Sequence, residues 1–186
     1  MTVYDAYQQL MDNRMVLCVD TREKQTERYD ERIRLFKSIP CFGGSVMRCK
    51  LDVGDYSCFL ETPSGIVVDA RKAISIDRKA DLSEILRNFS GDDRKRYERE
   101  LIRAREMNCK LYFIIECGSV DAMYDGDYSN QISQAKATGS YHAFENRYNI
   151  RFEFVSPRNF PRYTYDKLRR YLFDYICHTY PNGELL

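Results

Sequence analysis

The sequence predicts an α/β domain with a mixed central sheet flanked by helices, and three features carry that prediction. Two short continuous apolar runs, Val16-Leu17-Cys18-Val19 and Leu111-Tyr112-Phe113-Ile114-Ile115, have the composition of strands covered on both faces. Segments with apolar residues at three- and four-residue spacing alternate with strand-like runs, as helices packed on a sheet do. Between residues 46 and 78 several strand-like segments lie close together, which points to an antiparallel meander within the mixed sheet.

Taken in order, residues 1 to 15 read as a short helix or arm. The first apolar run is a strand that leads straight into Asp20-Thr21-Arg22-Glu23. Tyr29, Ile33 and Phe36 share one face of a helix that must end before Pro40. Gly43-Gly44 turns the chain. Val46 to Val53 and Tyr56 to Glu61 read as strands on either side of Gly54-Asp55, with a turn at Pro63-Ser64-Gly65 and a further strand from Ala73 to Arg78. Asp81 or Ser83 is placed to cap a short helix carrying Ile85, Leu86 and Phe89. Gly91-Asp92-Asp93 restarts the chain as a long helix with Tyr97, Leu101, Ile102 and Ala104 as its stripe. After the second apolar run, residues 119 to 130 read as a loop and 131 to 148 as a helix with a possible break at Gly139. Ile150 to Val155 is a strand. A last helix carries Leu168, Tyr171, Leu172, Tyr175 and Ile176.

The 186 residues suit a single domain, with 1–15 as an arm, 16–118 as a core, and 119–186 as helices with one strand. Lys and Arg number 29 against 28 Asp and Glu, so binding nucleic acid by net charge alone is excluded, while a locally basic groove is not. No signal peptide and no apolar membrane span is expected, which makes a cytoplasmic protein the reading. The seven cysteines form no C-x-x-C pair and are expected to be reduced thiols. No G-x-x-x-x-G-K-[ST] loop occurs, so no ATP dependence is expected.

Three acidic clusters fall at strand ends: Asp20-Thr21-Arg22-Glu23, Gly54-Asp55-Tyr56 and Asp77-Arg78-Lys79. Alternation along a strand puts Asp77 and Lys79 on one face and Arg78 on the other. Taken singly, G-D-Y is an ordinary turn, D-x-K an exposed charge pair, and D-x-R-E a helix cap with a surface salt bridge. Taken together in this order, Asp55 and Asp77 suit a hard divalent cation, with Lys79 beside them to stabilise charge on a phosphate.

V-D-x-R-E, then G-D-Y, then an acid-R-K triplet resembles the nuclease domain of the XPF type (the ERCC4 domain), within the PD-(D/E)XK, restriction-endonuclease-like superfamily. Arg99-Glu100-Leu101-Ile102-Arg103-Ala104 leading to Lys110 through Glu116 is similar to the helix and strand that follow there. The likeness is nearest to small stand-alone versions from bacteriophages, covers residues 16 to 118 well and the remainder loosely.

What the resemblance implies is a restriction-endonuclease-like sheet and a Mg²⁺- or Mn²⁺-dependent endonuclease acting on branched or junction DNA, in repair or recombination. Asp55 and Asp77 match the metal ligands and Lys79 the catalytic lysine. Asp20 and Glu23 match acids near the metal, and Arg22 a phosphate-facing arginine. Arg78 matches the central arginine of the triplet. Two departures stand out. Asp77 replaces the family's glutamate, and the acid expected later in the motif comes early, at Asp81, where a helix cap is the alternative role.

Two basic stretches extend the expected DNA track. Residues 94 to 105 hold six basic side chains against two acids, Arg94, Lys95, Arg99 and Arg103 among them; residues 158 to 170 hold five against one, including Arg162 and Lys167. Solvated helix faces are the plainer reading of each. Tyr141, Tyr163 and Tyr165 suit either stacking on unpaired bases or ordinary packing. The alternative function is that of a catalytically inactive nuclease-fold relative serving as a DNA-binding, partner or inhibitory protein. The Tyr-rich final helix suits either a homodimer surface or a core-facing stripe.

Overall fold

The computed structural model describes residues 2–61 and 67–186; the expected turn at Pro63-Ser64-Gly65 lies outside them. The elements run α1 (Val3–Arg14), β1 (Met15–Asp20), α2 (Glu27–Lys37), β2 (Ser45–Cys49), β3 (Tyr56–Glu61), β4 (Val67–Asp69) and β5 (Ile74–Lys79) in the first half. The second half holds α3 (Leu82–Arg87), α4 (Gly91–Glu106), β6 (Lys110–Ile115), α5 (Val120–Asp125), α6 (Gln134–Tyr148), β7 (Arg151–Phe154) and α7 (Phe160–Thr179). One mixed sheet has the order β2-β1-β3-β5-β6-β7, with β4 paired to β3.

β1 runs parallel to β2, and β5, β6 and β7 run parallel to one another. β3 is antiparallel to β1, β4 and β5. The path from β1 to β2 and the path from β5 through β6 to β7 therefore move in opposite directions across the sheet. Right-handed crossovers then send their helices to opposite faces. On one face α1, α2 and α7 bury Met11, Phe36, Phe160, Leu168 and Ile176 against Leu17, Tyr56, Ile76 and Ile114. On the other, α3, α4 and α6 bury Ile85, Tyr97, Leu101 and Phe144 against Leu111, Phe113, Ile115 and Phe152. Where the connections part company, a crevice opens at the carboxyl ends of the strands, the usual ligand position in open α/β sheets.

Several local expectations are corrected. The strand read from Val46 to Val53 stops at Cys49, because the Leu51 N–H donates to Asp20 Oδ2 at 2.7 Å and its carbonyl accepts from Arg22 at 2.9 Å. β2 pairs with β1 and not with the next strand in sequence, so the meander is confined to β3, β4 and β5. Gly44 permits that pairing: a Cβ there would stand 1.8 Å from the Met15 carbonyl oxygen. The expected loop at 119 to 130 contains α5, capped by Ser119, whose hydroxyl accepts from the Ala122 N–H. α6 passes through Gly139 unbroken. In α7 Leu168, Leu172 and Ile176 are core residues, while Tyr171 is partly covered and Tyr175 is exposed.

Phe36 is fully buried and lies 5.7 Å from the Tyr56 ring and 6.4 Å from the Phe160 ring. Phe36→Ala is expected to lower unfolding free energy by about 3–5 kcal/mol. Tyr175→Ala on the exposed side of α7 is expected to change it by less than about 0.5 kcal/mol. Urea denaturation of the two variants checks both values.

Candidate active site

β5 sets the site by its alternation. Ile74, Ile76 and Arg78 face the α2 and α7 layer, while Ser75, Asp77 and Lys79 face α4. Asp77 is 4% exposed, and Lys79 Nζ sits 2.5 Å from its Oδ1 and 5.8 Å above the Phe113 ring. The antiparallel register of Tyr56 with Ile76 brings Asp55 opposite Asp77. Asp55 is pinned by its own peptide: its N–H donates to Ile76 O at 2.8 Å, and its carbonyl accepts from the Asp20 N–H at 2.8 Å. Its Oδ2 accepts the Arg78 N–H, also at 2.8 Å.

Gly54 makes this approach possible. Its φ is +69°, and a Cβ would fall 2.4 Å from Ser75 Oγ, the hydroxyl that donates to Val53 O. α4 holds the same turn from above. Glu100 Oε1 accepts the Gly54 N–H at 3.1 Å, and Arg103 donates to Asp52 O at 2.9 Å. Glu100 thus joins the Asp55, Asp77 and Lys79 cluster, although in the sequence it reads as one more charge on a charged helix. Its spacing is the available signal, since it falls between Tyr97 and Leu101 on the inward stripe.

The cluster carries excess negative charge. Burial pushes the Asp55 carboxyl up to about 6, with Glu23 and Glu100 adding to the effect against Lys79 and the Arg78 N–H. Burial also drives Asp77 well above the carboxylate range, opposed by Lys79 and reinforced by Asp55 and Glu100. Burial works against the Lys79 charge, but Asp77 and Asp55 outweigh it and raise its pKa. Burial is thus the first cause at all three groups and works against each charge, and the attraction between Lys79 and the two aspartates opposes it. Two carboxylates suit Mg²⁺, which uses one or two such ligands and keeps several waters. Asp55 and Asp77 therefore fit a hard divalent ion. No group of three or more His, Cys, Asp or Glu is arranged to hold a metal among the described residues.

Asp20 and Glu23, expected to complete the shell, are engaged elsewhere. Asp20 is 1% exposed and accepts the Arg22 guanidinium at 2.7 and 3.1 Å, besides the Arg22 and Leu51 N–H groups at 2.7 Å each. Burial alone would raise its pKa; these bonds outweigh that and lower it. Glu23 pairs with the buried Arg32 at 2.7 Å and reaches Asp55 only as a neighbouring charge. Asp81 caps α3, accepting the Glu84 N–H at 2.7 Å.

The basic residues divide between two layers. Arg22, Lys79, Arg96, Arg99 and Arg103 line a cleft of about 400 Å³ with Glu100 and Tyr97. Lys95 is exposed on the same helix, whereas Arg94 is bonded to Glu98 at 3.0 Å and lies over the Phe144 ring. Arg78 points to the opposite face and pairs there with the buried Glu116. Arg162 pairs with Asp166, and Lys167 with Glu153, both on the α7 side. The α4 and α7 stretches thus form no single track. Tyr141 and Tyr165 are buried packing residues, and Tyr163 is partly covered beside Lys167.

The sheet and its helices share the fold of solved XPF structures. Among solved structures, XPF from Aeropyrum pernix matches with a TM-score of 0.57 and 18% identity, over 84% of this chain and 65% of that one. XPF from Aeropyrum pernix in complex with DNA matches with a TM-score of 0.56 and 20% identity, over 87% and 66%. The chain spans about two thirds of the length of those chains. No protein-family model and no curated protein matches it. No helix among the described residues is long and apolar enough to cross a membrane.

The raised Asp55 pKa has a defined consequence for stability. Between about pH 4 and about pH 6 the folded chain keeps a proton that the unfolded chain has released, so stability falls as pH rises through that window. Asp55→Asn is expected to remove its share of this fall, leaving that of Asp77. Urea midpoints measured from pH 4 to pH 7 in metal-free buffer will show a flatter profile for the variant.

Proposed function

We propose that the chain is a divalent-metal-dependent endonuclease that hydrolyses DNA phosphodiester bonds at branched or otherwise structured sites. The observation that carries this reading is the meeting of Asp55, Asp77 and Lys79 where β3 begins and β5 ends, with Lys79 among the arginines that line the adjoining cleft. Asp55 and Asp77 would hold a Mg²⁺ or Mn²⁺ ion, which would supply Lewis-acid chemistry when bound. Lys79 is set to stabilise charge building on the scissile phosphate, in a pocket whose burial strengthens that effect. Arg22, Arg99 and Arg103 hold flanking phosphates, and Glu100 keeps the Gly54-Asp55 turn in place. The XPF neighbour in complex with DNA supports nucleic acid as the ligand class.

A second reading, a DNA-binding or partner protein without catalysis, draws on one observation. Asp20 and Glu23 are neutralised by Arg22 and Arg32, which leaves a lean acid set at the site.

Labelled branched and linear DNA incubated with the protein and Mg²⁺ separates the two. Asp55→Ala and Lys79→Ala are each expected to slow cleavage by about 100-fold or more. Equal cleavage by all three proteins would remove the assignment, and a gel shift that ignores both Mg²⁺ and Asp77→Asn would favour the binding protein. Mn²⁺ is also expected to raise the melting temperature of the wild-type chain by binding the folded state, an effect that Asp77→Asn abolishes.

A further inference from the structure

A second cleft, of about 470 Å³, opens on the other side of the end of β5. Arg28 and Arg32 of α2, Arg78 of β5, Glu116 beyond β6, and Arg158 before α7 define its walls. It too lies at the carboxyl ends of the strands, on the face opposite the acid cluster. Two ion pairs form its floor. Arg32, 8% exposed, is held by Glu23 and by the Tyr56 hydroxyl, which accepts from its Nε at 3.1 Å. Arg78 is held by Glu116, yet its own Nε is buried with no hydrogen-bond partner among the described residues.

The mouth is different. Arg28 and Arg158 are exposed, and neither makes a hydrogen bond or ion pair to another described residue. Glu31, the remaining acid of the lining, leans toward Arg34 at 3.7 Å. The floor is therefore balanced in charge, and two unpaired guanidinium groups face outward. Guanidinium forks match phosphate oxygens in a way that ammonium groups do not. Neighbouring residues of one strand end serve the two clefts, Lys79 in the first and Ala80 in the second. The two clefts therefore adjoin at consecutive residues of the chain.

We propose that this cleft is a second phosphate-binding site, which takes the backbone of a nucleic acid strand continuing past the acid-bearing cleft. The proposal rests on the nucleic acid reading given above and extends it, by assigning the far side of β5 to the substrate. It makes Arg28 and Arg158 binding residues and leaves hydrolysis to the other face. Both side chains are exposed and unpaired, so removing them leaves the core and the metal-binding acids intact.

The test is equilibrium binding of fluorescent branched DNA in EDTA, from about 50 to about 200 mM salt. EDTA keeps the readout independent of cleavage. The Arg28→Ala/Arg158→Ala double variant is expected to bind several-fold more weakly, and its log K against log salt slope to be smaller by about two, one for each lost phosphate contact. A control pair, Arg147→Ala/Arg151→Ala, removes two exposed arginines at the other end of the parallel strands and is expected to keep the wild-type slope. Wild-type slope and affinity in the Arg28/Arg158 variant would overturn the site. Calorimetric binding of inorganic phosphate that the double variant loses, with DNA binding unchanged, would assign the cleft to a free anion and also overturn it. A wild-type chain that binds no DNA even at the lowest salt would remove the nucleic acid reading itself, and the site with it.

Discussion

The site depends on the backbone of one residue, Asp55. Its N–H is given to β5 and its carbonyl is taken by β1, so three strand ends are locked at one point. The side chain then closes on the Arg78 N–H, which ties its direction to the strand that carries Asp77 and Lys79. Backbone hydrogen bonds in a sheet are short and directional, so they position a carboxylate better than loop packing does. Gly54 is the cost of this arrangement: the chain enters Asp55 with positive φ and no room for a side chain. α4 reinforces the turn from outside through Glu100 and Arg103.

A net charge of +1 conceals strong local separation. Acids gather where β3 begins and β5 ends, where burial and mutual repulsion work against their charge and Lys79 works for it. Arginines occupy the rims on both faces of the sheet. The partition follows from strand geometry. Adjacent residues 77, 78 and 79 alternate faces, so acid and lysine share one chemical environment while the arginine between them belongs to another.

Much of this was legible in the sequence, for identifiable reasons. Val16 to Val19 and Leu111 to Ile115 could hardly be other than covered strands, and the period of two assigned Asp77, Lys79 and Arg78 to their faces. The stripe of α7 marked its core side through Leu168, Leu172 and Ile176. What escaped was non-local. Lys50 to Val53 alternates like a strand, but a carboxylate thirty-one residues earlier captures the Leu51 N–H and ends the ladder. β2 pairs parallel with β1 through the α2 crossover, a connection that no local pattern in Val46 to Val53 announces. Asp20 and Glu23 looked like free ligands because their partners, Arg22 and Arg32, read as ordinary surface charge. Glu100 was hidden the same way, one acid among the many charges of α4.

The alternation along β5 also sets which changes the chain can absorb over evolutionary time. Swapping one side chain on this strand alters one wall of one cleft. Inserting or deleting a single residue between Ser75 and Asp77 reverses the frame, moving the acid and lysine toward α2 and the arginine toward α4. Drift by substitution is open to this strand, and drift by length is closed. The tolerance for added or lost residues must lie outside it, beyond the three strand ends that Asp55 joins.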